Sequence, residues 1–366
     1  MRNGVLLGAL VAIVAVLGAS LMLRPKETVA PVVPFTPTEA ALVGPRRLAV
    51  LPDIGEVAIA DPGAHRVFRL RGRELGVLAG TGRACEASCC EGAADATAID
   101  LAAPADVAVF GDGLLIANSD AGCVLNRDPE GRVVRFAGRG PEGPLGDRRF
   151  ARDARLDRPR GIAVWPGRGV LIAEAGGCRV RLVAEDSRII TVAGTGECGF
   201  GGDGGPALSA QLGAPSGVAV WPDGTGFVIA DTANGRVRSV GTAGTIVTIA
   251  GNGGRGLSGD GGVGTDGTLS DPEGLGFIRG ALWIADTGND RLRILRAGTL
   301  SSYAPQTRVG PLRLKLPAGL TISAGGVAIA DTGSKRIVWA TEDGRQGRVL
   351  AGEANAPAAT ADVAPK

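Results

Sequence analysis

FVIADTANGRVRSV, Phe227–Val240, is the stretch whose reading decides the fold. Four apolar residues, Phe227 to Ala230, lead into a polar run from Asp231 to Gly235. Arg236 and Arg238 then flank Val237, and the segment closes on Ser239 and Val240. An apolar run, a turn of Asp, Asn and Gly, and an alternating run read as two antiparallel strands. The phrase returns as WIADTGNDRLRIL at Trp283–Leu295, VAIADPGAHRVFRL at Val57–Leu70 and LIAEAGGCRVRLV at Leu171–Val183. It returns again as AIADTGSKRIVWA at Ala328–Ala340 and, degenerate, as LIANSDAGCVLNR at Leu115–Arg127.

The alanine of each IAD-like triplet fixes the period. Ala60, Ala117, Ala173, Ala230, Ala285 and Ala330 are spaced by 57, 56, 57, 55 and 45 residues. A period of this size marks a propeller or a solenoid. Around Phe227–Val240 the order is Pro215-Ser216-Gly217, an apolar strand, the turn Trp221-Pro222-Asp223-Gly224, the quoted hairpin, the turn Thr242-Ala243-Gly244 and a last strand ending at Gly251. Four short strands per unit make one antiparallel sheet, which cannot bury both its faces alone. Six such sheets packed radially can. The same grammar opens at Pro45, Pro104, Pro159, Pro215, Pro272 and Pro317, and closes near Gly80, Gly138, Gly194, Gly251, Ala304 and Gly352. The expected fold is therefore all-β, a six-bladed β-propeller over residues 45–352. A solenoid has shorter coils and atypical end caps.

These phrases resemble the NHL repeat. IADTANGRVRSV and IADTGNDRLRIL are similar to its strand, ADTGN-x-R turn and following strand. Ala193–Val220 and Ala250–Phe277 resemble the long glycine-rich linkers of bacterial NHL propellers. The resemblance implies the propeller fold. It says little of activity, because the family holds binding platforms, sensors and a few enzymes.

The chain has 366 residues, 45% of them hydrophobic, enough for a large core. Sixty glycines and 4% aromatics fit many tight turns between strands of Val, Ile, Leu and Ala. A net charge of +2, from 39 basic and 37 acidic residues, gives no support to a nucleic-acid partner. Six cysteines with no CxxC spacing fit disulfides in an oxidising compartment better than a zinc site.

Gly4–Leu23 is 20 residues without a charge, preceded by Arg2 and followed by Arg24 and Lys26. At about 1.5 Å per residue it could cross a hydrocarbon core of about 30 Å. It is expected to be a transmembrane signal-anchor. A cleaved signal peptide is the alternative, with Gly18-Ala19-Ser20 an imperfect cleavage site. Residues 1–23 are thus read as anchor or signal, 24–44 as a proline-rich linker and 353–366 as a disordered tail. The cysteines orient the body outward, to a periplasmic or extracellular place on the membrane, or to secretion if the segment is cleaved.

In a four-stranded blade the turn between strands two and three and the linker to the next blade emerge on one face. The candidate ligand-binding residues lie there: Asp61, Glu174, Asp231, Asp286 and Asp331, with Arg66, Arg179, Arg236, Arg291 and Arg336. Their plainer role is local, the acid capping its own turn and the arginine packing on the neighbouring blade. The sharper role is a charged rosette for a polar or anionic ligand. Asp147, Asp203 and Asp260 share a place in glycine-rich linkers. Carboxylates among free carbonyls suit Ca2+, but GGDGGPA lacks an EF-hand's alternating acids, so turn capping is the plainer expectation. No cofactor is otherwise expected. For Cys85, Cys89, Cys90, Cys123, Cys178 and Cys198 the expectation is a Cys178–Cys198 bridge, Cys123 joined to one of the first three, and the last pair within RACEASCCEG. Fifteen connectivities are open.

His65 is the sole histidine, so a histidine-rich metal centre lacks its parts, and a Ser-His-Asp triad would have to use His65, which no nucleophile signature accompanies. The expected function is a membrane-tethered module binding a protein, peptide or glycan. The alternative is a divergent propeller hydrolase or lyase with a carboxylate-bound Ca2+.

Overall fold

The computed structural model describes residues 41–352, apart from 52–55, 87–88, 93–94 and 324. Gly4–Leu23, residues 24–40 and the tail 353–366 lie outside the described residues. Among the described residues no helix is long and apolar enough to cross a membrane.

Six four-stranded antiparallel sheets follow one another along the chain. Blade 1 comprises Arg47–Val50, Val57–Asp61, Arg66–Arg71 and Glu74–Ala79. Blade 2 comprises Pro104–Phe110, Gly113–Asn118, Cys123–Arg127 and Val133–Ala137. Blade 3 comprises Pro159–Trp165, Gly169–Glu174, Arg179–Val183 and Ile189–Ala193. Blade 4 comprises Gly217–Val220, Gly226–Asp231, Arg236–Gly241 and Ile246–Ala250. Blade 5 comprises Pro272–Ile278, Ala281–Asp286, Arg291–Arg296 and Thr299–Tyr303. Blade 6 comprises Pro317–Ser323, Gly326–Asp331, Arg336–Thr341 and Gly347–Gly352. The first strands pack against one another in ring order, blade 6 meeting blade 1, so the sheets form a six-bladed propeller.

The apolar runs predicted as strands bury both faces, because each blade is sandwiched between two others. Six hydrophobic clusters result, one per blade interface. The one joining blades 6 and 1 contains Leu42, Leu48, Ile59, Ala328, Ala330 and Ile337. Among the described residues no strand is exchanged there: each sheet takes its strands from one contiguous stretch. Closure rests on side chains, on Thr332 Oγ1 donating to the Pro45 carbonyl (2.5 Å) and on Arg47 Nη1 donating to the Ala318 carbonyl (2.8 Å).

Two features escape the sequence pattern. The shortened step before blade 6 holds a small hairpin, Gln306–Thr307 with Gly310–Pro311. And Ala103, Arg158, Ala214, Asp271 and Leu316, each just before a blade-opening proline, have φ between 46° and 53°. The proline ring disfavours helical backbone in the preceding residue. A left-handed non-glycine residue costs about 1–3 kcal/mol. Five recurrences show that this bend is how a linker descends from the rim into the first strand.

Candidate binding face and channel mouth

The acids of the repeated phrase end the second strands, where the linker to the first strand passes. Asp231 accepts from the Gly213 amide (2.6 Å), Asp286 from Ser270 (2.7 Å), Asp331 from Lys315 (2.6 Å) and Glu174 from Asp157 (2.8 Å). Asp61 accepts from Val43 (2.8 Å) and Gly44 (2.9 Å), and in the degenerate copy Asn118 accepts from Ala102 (2.7 Å). Each fastens an incoming linker to its own blade. All six side chains are buried, and burial pushes the Asp61, Glu174, Asp231 and Asp286 carboxyls above the usual range. The threonine after the acid reaches the next blade: Thr232 donates to the Pro272 carbonyl (2.7 Å) and Thr287 to that of Pro317 (2.8 Å).

Of the turn-end arginines, Arg66, Arg179 and Arg236 donate to the Thr81, Thr195 and Asn252 carbonyls where the outgoing linkers begin. Arg291 donates to Asn289 O (3.3 Å), and Arg336 is tied to Asp331 (2.6 Å). His65 holds the left-handed slot before Arg66 (φ 50°), with Nδ1 3.1 Å from the Leu101 carbonyl. Nine of the ten rosette residues thus stitch a linker to its blade, Arg336 also through the Arg313 carbonyl (2.8 Å), while Arg291 bonds only within its own turn.

The second arginines of the phrase are the ones sequence reasoning left unassigned. Arg181, Arg238 and Arg293 are completely buried. Each joins the strand-end acid to a linker aspartate. Arg181 meets Glu174 (3.2 Å) and Asp147 (2.7 Å). Arg238 meets Asp231 (3.3 Å) and Asp203 (2.6 Å). Arg293 meets Asp286 (3.5 Å) and Asp260 (2.9 Å). This is where Asp147, Asp203 and Asp260 lie, each against a guanidinium. Among the described residues, no group of three or more His, Cys, Asp or Glu side chains converges as a metal site. The arginine column was readable from its coincidence with the linker aspartates: both occur in blades 3, 4 and 5, and Phe68, Leu125 and Val338 fill the place elsewhere.

The six cysteines form three disulfides, Cys85–Cys89, Cys90–Cys123 and Cys178–Cys198. The second fastens the first linker to blade 2, and the third fastens a turn of blade 3 to the linker leaving it.

Asymmetry is concentrated at the channel. The two residues after each opening proline are Arg46-Arg47, Ala105-Asp106, Arg160-Gly161, Ser216-Gly217, Glu273-Gly274 and Ala318-Gly319. Arg47, buried, crosses the axis and donates to the carbonyls of Ala318 (2.8 Å), Ser216 (3.0 Å) and Glu273 (3.0 Å). Glycine is required opposite it: a Cβ on Gly274 would lie 2.5 Å from Arg47 Nη1, and one on Gly217 would lie 2.0 Å from the Glu273 carbonyl. Asp106, also buried, accepts from the amides of Val107 and Ile162 (both 2.8 Å), and burial pushes its carboxyl up to about 6. A cavity of about 90 Å³ remains, lined by Arg47, Asp106, Ile162 and Leu320 among others. Above this plug Arg46 Nη2 meets Glu273 Oε1 (2.5 Å), while Glu273 Oε2 is buried without a hydrogen-bond partner among the described residues. The Arg160 guanidinium has no hydrogen-bond partner among them either. Burial lowers its pKa first; Arg46, Arg158 and Arg47 add like-charge repulsion against the attraction of Glu273.

No protein-family model and no curated protein matches the chain. Solved structures do. A protein of unknown function from Bacteroides thetaiotaomicron superposes with a TM-score of 0.59 at 14% identity, over 83% of this chain and 71% of its own. An auxiliary nutrient binding protein from the same organism gives 0.58 at 11% identity, over 81% and 68%. Virginiamycin B lyase from Staphylococcus aureus gives 0.52 at 14% identity, over 86% and 88%. At such identities the likeness is one of fold, the six-bladed propeller.

Proposed function

We propose that this chain is an NHL-type binding module, exported and tethered to a membrane by residues 4–23, which takes a protein, peptide or glycan ligand on its linker face. The observation that carries the reading is the channel mouth. Arg46, Arg160 and Glu273 stand where blades 2, 4 and 6 place Ala105, Ser216 and Ala318. Repetition elsewhere on the face builds the ring; the mouth is where blades cease to be equivalent and can select a ligand. The likeness to a propeller that binds nutrients supports a binding role. Three disulfides favour an oxidising compartment. A histidine-to-alanine variant of virginiamycin B lyase is catalytically inactive. Here the sole histidine is held in a turn, its Nδ1 3.1 Å from Leu101 O.

The test is a glycan and peptide array probed with full-length protein in mild detergent, beside the variant Arg46→Gln/Arg160→Gln/Glu273→Gln. Saturable binding that the variant loses, with no change in ligand mass on incubation, is the expected result. Turnover of a bound ligand, or stoichiometric Ca2+ on metal analysis, would favour the hydrolase or lyase alternative.

A further inference from the structure

The linker face does not offer its charges freely. The strand-end acids are buried, the turn arginines Arg66, Arg179, Arg236 and Arg336 hold linker carbonyls, and Arg181, Arg238 and Arg293 are each shared between two carboxylates. Against that background two half-buried guanidiniums, Arg155 in the linker and Arg160 at the start of blade 3, are left without a described acceptor, and Arg160 is the one in the column that follows the opening prolines. It is half-buried beside the channel, and its guanidinium has five N–H donors that no described acceptor takes up. Its surroundings are charged from several blades. Arg46 and Arg47 come from blade 1, Arg158 from the linker into blade 3 and Glu273 from blade 5, with Asp106 of blade 2 facing Arg47. Arg46 is paired with Glu273 (2.5 Å), Arg158 lies 3.7 Å from Asp157, and Arg47 and Asp106 attract one another lower in the channel. What is left over is the positive charge of Arg160. A second group is also incomplete. Glu273 is 8% exposed, and its Oε2 accepts from no described donor.

A half-buried guanidinium calls for an oxyanion, which it can hold with paired N–H bonds. A buried carboxylate oxygen calls for a donor, since an acceptor left bare costs about 1–3 kcal/mol. One ligand group answers both. We infer that Arg160, with Arg46 and Glu273, binds an oxyanion that carries its own hydrogen-bond donor: a hydrogenphosphate group, or a carboxylate with an adjacent amino or hydroxyl group. Arg160 and Arg46 take the oxyanion and Glu273 Oε2 takes the donor. Glu273 therefore discriminates. Sulfate has the charge and shape but no proton at neutral pH, so its oxygens meet the carboxylate as repulsion. Acetate and glycine stand in the same relation. The inference rests on the linker face being the binding face.

Calorimetric titration of the full-length protein in mild detergent, at constant ionic strength, tests it with four probes: inorganic phosphate, sulfate, glycine and acetate. The expected result is one saturable site that prefers phosphate to sulfate, or glycine to acetate, by at least about tenfold. Whichever pair binds identifies the ligand's anion. Arg160→Gln is expected to weaken that binding at least about tenfold, a loss of about 1.4 kcal/mol. Glu273→Gln, which offers an amide N–H in place of an acceptor, narrows the preference. Arg255→Gln removes an exposed arginine paired with Asp271 (2.9 Å) and leaves binding unchanged. Circular dichroism establishes that each variant is folded. No saturable binding by any probe, equal binding of both members of each pair, or an unaffected Arg160→Gln overturns the inference. If the array ligand still binds in a mouth-dependent way, only the inference falls; if neither binds, the binding-module reading falls with it.

Discussion

Arg238 Nη2 lies 2.6 Å from Asp203 while its Nη1 lies 3.3 Å from Asp231, so one completely buried guanidinium holds a strand end and a linker together. The two acids are not equivalent partners. Asp231 is 0% exposed and Asp203 is 36% exposed in its side chain. Phe200 covers the outside, its ring centre 5.0 Å from the Arg238 guanidinium carbon.

Removing the arginine strands a buried carboxylate. Arg238→Met is expected to lose about 3–5 kcal/mol, because an uncompensated charge stays in the interior. Asp203→Asn is expected to cost about 1 kcal/mol, since that acid is 36% exposed and Asp231 remains. Urea unfolding of both variants checks this. Equal losses would mean that Asp203 does as much for the arginine as Asp231 does.

The channel glycines carry a steric prediction. Gly274→Ala puts a methyl group 2.5 Å from Arg47 Nη1 and 2.7 Å from the Ala318 carbonyl. Either the arginine leaves its three carbonyls or the inner strands part. The expected loss is about 1–3 kcal/mol or more. Gly280→Ala is the contrasting change: φ there is 75°, with nothing within 4 Å, so only backbone strain applies. A thermal melt in which Gly274→Ala is as stable as wild type would show that Arg47 does not fill the channel.

The buried acids give stability an unusual pH dependence. The Asp106 carboxyl sits at about 6, against an ordinary value of about 3.9. Between these values the folded chain keeps a proton that the unfolded chain has released. The Asp106 contribution to stability is fully present below about pH 4, and up to about 3 kcal/mol of it is lost as pH rises through about 6. The raised carboxyls of Asp61, Glu174, Asp231 and Asp286 act in the same direction. The urea midpoint should fall from about pH 4.5 to about pH 6.5 and flatten above. Asp106→Asn should lack part of that slope. A wild-type midpoint that rises through the window would contradict the burial of these groups.

The disulfides should differ in weight. They close separations of 4, 33 and 20 residues for Cys85–Cys89, Cys90–Cys123 and Cys178–Cys198. Loop entropy ranks Cys90–Cys123 first at about 3–4 kcal/mol and Cys178–Cys198 close behind. Cys85–Cys89 should contribute least. Paired Cys→Ser variants compared by urea unfolding test the order, and a dominant Cys85–Cys89 bridge would refute it.

Much of the fold was legible because a propeller repeats its instructions. The triplet anchors, the opening prolines and the closing glycines each mark a strand end, and six copies make a period visible. The roles of Arg181, Arg238 and Arg293 were not legible by the same logic. A guanidinium flanking Val237 in an alternating run reads as solvent-facing, yet the outer wall of a blade is roofed by a linker that carries its own aspartate. Only the pairing of two distant columns reveals a buried ion pair. The mouth was hidden for the opposite reason. Arg46, Arg160 and Glu273 occupy a column with no consensus, and a search for repeats passes over what does not repeat. Asking which residues follow each opening proline would have isolated them.

That each described sheet takes its strands from one contiguous stretch has a consequence for how the chain matures. Each blade is complete as soon as its own segment exists, whereas the Thr332–Pro45 bond and the packing of Ile337 on Leu48 wait for the last segment. A ring lacking its last sheet would leave two apolar blade flanks bare. Bare apolar flanks of this kind are where an incomplete ring is open to aggregation.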